Sequence, residues 1–67
     1  MTPKEFKDAR YKLGLLRQSE AAAMLGYSRI ASISDIETGK AAPPDSVLRL
    51  LRAYLDGYRP SDWPVAS

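Results

Sequence analysis

The side chains with chemistry to offer are few, and most lie between Gln18 and Lys40. Gln18, Ser28, Arg29, Ser32, Ser34, Asp35, Thr38 and Lys40 supply one amide, several hydroxyls, two cations and a carboxylate, with Ala31 the small apolar residue among them. The chain has no Cys and no His, which removes thiolate nucleophiles, imidazole acid–base chemistry and the usual zinc ligand sets. Asp35 and Glu37 stand two apart, so on a helix they face different ways and do not make a working carboxylate pair. There is no glycine-rich phosphate loop. Such a set suits recognition by hydrogen bonds and contact better than catalysis, and the chain reads as a non-enzyme that needs no cofactor and no metal.

These side chains need elements to hold them. Sixty-seven residues allow one domain, 1–67. A chain of this length buries only about 60% of its unfolded surface, so its stability margin is small. Thr2-Pro3-Lys4-Glu5 is a helix start with a capping residue, a proline at the first helical position and a glutamate to close the box. The first helix should span about 3–13, with Phe6, Ala9 and Leu13 as its apolar stripe. A second should span about 18–25, with Arg17 where a Ser or Thr cap is common, and a third about 29–37 with Ser28 as cap. Pro43 and Pro44 mark a loop before a fourth helix, about 44–56, stopped by Gly57.

On that fourth helix Val47, Leu48, Leu51, Tyr54 and Leu55 form the expected inward face, with Leu50 off its edge. The tail, 57–67, carries two prolines and Trp63 and reads as a turn that places a ring against the bundle. No strand signal is present. No apolar run approaches the ~20 residues of a membrane span, and no signal segment opens the chain, so a cytoplasmic location is expected.

Between the second and third helices, Gly26 allows the left-handed backbone of a sharp turn, Ala22 is small where two helices must approach, and Ile33 can anchor the third helix in the core. The runs Gln18…Glu20-Ala21-Ala22…Leu25-Gly26-Tyr27-Ser28 and Ile33-Ser34-Asp35-Ile36-Glu37-Thr38-Gly39-Lys40 resemble the Cro/lambda-repressor type of helix-turn-helix protein, the XRE family. The resemblance covers roughly residues 3–56. It departs at two places: the Gly14–Gln18 and Gly26–Ile33 spacings are each one residue longer than usual, and the second bears on where the third helix begins.

The resemblance implies an all-α bundle of four to five helices whose third helix lies in the major groove of double-stranded DNA. With Ile33 inward, a helical wheel places Ile30, Ile36 and Glu37 on the inward half. Ser28, Ala31 and Asp35 then face outward, with Ser32 and Ser34 on the flanks. Asp35 and the serines can accept from a cytosine amino group, and Ala31 can touch a thymine methyl. Arg29 can read guanine if its side chain swings outward, or else pack inward over Glu37 or a phosphate. The base-contacting set is therefore Arg29, Ala31, Ser32, Ser34 and Asp35. Gln18, Ser28, Thr38 and Lys40 are the expected phosphate contacts. Arg10 and Glu37 are implied to form a structural salt bridge.

A net charge of +2 permits DNA binding without demanding it. The functional expectation is a sequence-specific transcriptional regulator, a repressor of a short phage or bacterial operon, with autoregulation the further expectation. The alternative is a protein-binding module such as a small antitoxin. One recognition helix covers few base pairs, so a homodimer on an inverted repeat is expected. Its interface would be Leu50, Tyr58, Trp63 and Val65, unless Trp63 caps the monomer core instead.

Overall fold

The computed structural model describes residues 1–64 and forms four helices: α1 (Pro3–Lys12), α2 (Gln18–Leu25), α3 (Ile30–Thr38) and α4 (Asp45–Leu55). The fold is all-α, with no strand among the described residues. The tail makes a turn at Ser61-Asp62 rather than a fifth helix, with the Trp63 N–H donating to the Pro60 carbonyl at 3.1 Å. No helix is long and apolar enough to cross a membrane.

α1 starts as its sequence dictates. The Thr2 hydroxyl accepts from the Glu5 N–H at 3.1 Å, and Glu5 Oε1 accepts from the Thr2 N–H at 2.8 Å. The Thr2 backbone N–H first, and the Thr2 hydroxyl second, hold the Glu5 carboxyl below its usual range. Phe6, Ala9 and Leu13 go into the core with Leu15, Ala21, Ala22, Met24, Leu25, Ile33, Ile36, Val47, Leu51 and Tyr54. α3 packs on both α1 and α2, and α4 closes the bundle against α2.

Gly26 takes φ 82°, and the Tyr27 N–H reaches back to the Ala22 carbonyl at 2.8 Å. That is the left-handed stop that turns the chain sharply enough for α3 to cross α2. Gly39, at φ 85°, ends α3 in the same way, with the Lys40 N–H on the Asp35 carbonyl at 2.8 Å.

Two residues of α4 differ from the helical-wheel expectation. Leu50 packs partly buried against the core, whereas Leu55 is 39% exposed. Trp63 is spent on the monomer core: it meets the Tyr54 ring edge-on, centroids 4.8 Å apart. Arg59, which sequence reasoning passed over, donates to the Tyr54 and Tyr58 carbonyls at 2.6 and 2.8 Å. Its guanidinium lies 4.5 Å from the Trp63 ring, so the tail is pinned to the end of α4. Val65 lies outside the described residues.

Tyr54 ties this end to the helix-turn-helix, because its buried hydroxyl donates to the Met24 carbonyl at 2.6 Å. Tyr54→Phe strands that carbonyl and should cost about 1–3 kcal/mol. Burial, more than the nearby Tyr58 and Asp62, raises the Tyr54 phenol above its ordinary value. A raised folded-state pKa stabilises fully below the unfolded value of about 10 and is lost as pH rises through the folded value. Denaturant melts should therefore show wild type converging on Tyr54→Phe in alkali, and a gap that persists at high pH would refute the assignment.

Candidate nucleic-acid interface

The turn from α2 to α3 occupies Gly26, Tyr27, Ser28 and Arg29, so it absorbs the extra residue seen in the sequence. The helix begins at Ile30 rather than at Arg29. Arg29 is the N-cap with an extended backbone, φ −127° and ψ 136°, and Ser28 makes no cap. Being outside the helix, Arg29 is exposed instead of pointing inward as on an ideal wheel.

Ile33 and Ile36 are buried, which sets the rotation of α3. The same rotation leaves Ala31 exposed and Ser32, Ser34 and Asp35 half-buried. Ser28, Thr38 and Lys40 are exposed, and Gln18 is half-buried at the first position of α2. Ile30 was expected inward and is 52% exposed. A wheel gives only a direction, and at the first turn of α3 no neighbouring element covers that direction.

The rigid part of the site lies behind this surface. Arg10 is 4% exposed and uses four of its five N–H donors. Its Nε donates to Glu37 Oε2 at 2.6 Å and its Nη2 to Oε1 at 3.1 Å. Its Nη1 donates to the Leu15 and Leu16 carbonyls at 3.1 and 2.7 Å. Gln18 Nε2 adds a third donor to Glu37 Oε1 at 3.2 Å. The Arg10–Glu37 pair thus joins the last turn of α1, the loop after it, the start of α2 and the last turn of α3. The hydrogen bond to Glu37 is the largest reason the Arg10 guanidinium is held above its ordinary pKa.

This network qualifies two of the expected phosphate contacts. One amide proton of Gln18 is engaged by Glu37, leaving its second proton and the Gln18 and Ser19 N–H groups at the start of α2, where Glu20 Oε1 already takes the Arg17 N–H at 3.1 Å. The Thr38 hydroxyl donates to the Ser34 carbonyl at 2.9 Å, so giving a proton to a phosphate would require it to rotate away. The Lys40 ammonium has no such commitment among the described residues.

A helix of small, outward-facing side chains, set across a second helix by a glycine turn and locked by a buried ion pair, defines a helix-turn-helix of the DNA-binding kind. The chain belongs to the XRE family of helix-turn-helix proteins, the Cro/lambda-repressor type; the family's sequence model, described as Helix-turn-helix, matches residues 7–63. No curated protein and no solved structure matches the chain. The family is one of DNA-binding transcription regulators.

Proposed function

We propose that this single domain is a sequence-specific repressor that binds an operator by laying α3 in the major groove, acts by binding rather than catalysis, and works in the cytoplasm. The observation that carries this reading is the contrast between the two sides of α3. Its inner side is fixed by Ile33, Ile36 and the Glu37 network, and its outer side presents exposed Ala31 and half-buried Ser34 and Asp35, with Ile30 the large side chain exposed at its start. A surface held this firmly before contact loses little conformational entropy on binding. Arg29, Ala31, Ser32, Ser34 and Asp35 are assigned to bases, and Gln18, Ser28, Thr38 and Lys40 to phosphates. Control of a short operon that includes its own gene fits so small a regulator.

A homodimer on an inverted repeat supplies the second half of the site. Leu50 and Trp63 are engaged with the monomer core, so their share in an interface is the face they leave uncovered. Tyr58, 55% exposed although its ring stacks on Tyr54 with centroids 5.9 Å apart, is the more available anchor. Tyr58→Glu tests it with less core damage than Leu50→Glu would bring, removing one exposed ring from the face of Tyr54.

The deciding experiment is an electrophoretic shift on duplexes selected from a random pool, repeated across salt concentrations. Affinity should fall linearly on a log–log plot, and Lys40→Ala should lower the slope by about one. Ultracentrifugation of the complex should give two chains per site, and one for Tyr58→Glu. Absence of any salt-sensitive duplex binding would transfer the chain to the rival reading, a protein-binding module such as an antitoxin.

A further inference from the structure

We infer that Ile30 reads thymine, its side chain sitting on the 5-methyl groups that an A·T pair presents in the major groove; this rests on the proposed binding of α3 in that groove. Ile30 is the first residue of α3 and is 52% exposed, while Ile33 and Ile36 on the same helix are buried. The N-terminal residues of a recognition helix are the ones that reach base edges. The thymine methyl is the apolar group on those edges, and no hydrogen bond can read it.

The surroundings leave Ile30 little else to do. Arg29 before it is extended and exposed, and Ala31 after it is exposed and too short to reach as far. A β-branched side chain on a helix is nearly confined to one χ1 rotamer, so Ile30 meets the groove already oriented. Asp35 and the serines of α3 supply polar contacts one turn further along. The expected half-site therefore carries one or two thymines at the position facing the start of α3, followed by base pairs read through hydrogen bonds.

The test begins with duplexes selected from a random pool by the wild-type chain. Each thymine of the selected site is then replaced singly by deoxyuridine, which removes the methyl and nothing else. Wild type should lose about fourfold in affinity at one or two positions, the factor that corresponds to ~0.8 kcal/mol for a buried methyl-sized group. Ile30→Ser should be indifferent at those same positions, with an unchanged salt slope. Uracil tolerated everywhere by wild type overturns the inference, as does a loss that persists in Ile30→Ser, which would give the methyl to another side chain. Failure to enrich any sequence overturns the groove-binding reading itself, so the two failures are distinguishable.

Discussion

Arg10→Met is expected to remove about 3–5 kcal/mol of stability, because it leaves the Glu37 carboxylate buried without its cation. The side chains of the pair are 5% and 6% exposed, so water cannot take over. At roughly 0.05–0.15 kcal/mol per residue, the whole domain has about 3–10 kcal/mol to lose. The single variant should therefore lose from about a third to all of the domain's stability. Adding Glu37→Leu should return much of the loss, since an apolar pair of similar volume escapes the desolvation cost that an ion pair must offset. Recovery will be incomplete for two local reasons. The Leu15 and Leu16 carbonyls lose their Arg10 donor, and Gln18 loses its acceptor. Thermal and urea melts of the two single variants and the double variant measure the coupling. An Arg10→Met chain within about 1 kcal/mol of wild type would mean that Glu37 finds water after all.

The double variant also separates the two duties of this network. If it folds but binds DNA poorly, the ion pair matters for the placement of α3. If it folds and binds normally, Ile33 and Ile36 alone suffice to hold the helix. The Gln18 amide makes the first outcome the expected one. Glu37 orients that amide at the start of α2, where a phosphate is proposed to lie, and leucine cannot.

Much of this arrangement was legible in the sequence because it depends on local chemistry. Thr2, Pro3 and Glu5 can cap a helix whatever follows, and Gly26 and Gly39 stop helices through their own φ. Phe6, Ala9 and Leu13 are buried as their spacing demands. The Arg10–Glu37 pair, 27 residues apart, was legible through the family resemblance; neither residue's spacing reveals it. What could not be read was whether a wall stands opposite a given face. Ile30 and Leu55 point roughly toward the core on a wheel, yet each sits at a helix end where the neighbouring element has run out. Leu50 falls outside on a wheel for the converse reason, because the core supplies contacts that α4 alone does not show. The start of α3 was displaced by one residue because Arg29 is held extended in the turn, a matter of loop closure that propensity does not encode.

Ala31→Glu should separate stability from binding more sharply than any other change on α3. Ala31 is exposed at the second position of the helix, whose first turn carries no acid. A glutamate there costs little helix propensity, and its charge interacts favourably with the N-terminal end of the helix dipole. The melting temperature should hold or rise by a degree or two, consistent with the ~0.3–1 kcal/mol of such a charge. DNA affinity should move the other way. A carboxylate brought against base edges between two phosphate backbones is a like-charge contact that costs several kcal/mol, a loss of about 100-fold or more. Ala31→Gln, with nearly the same shape and no charge, should restore a large part of that affinity, which assigns the loss to charge rather than bulk. Affinities of the three chains on one selected duplex, together with their melts, give the result. If Ala31→Glu binds as tightly as wild type, the outer face of α3 does not enter the groove. The DNA-binding surface would then have to be sought around Arg17, Arg29 and Lys40 alone.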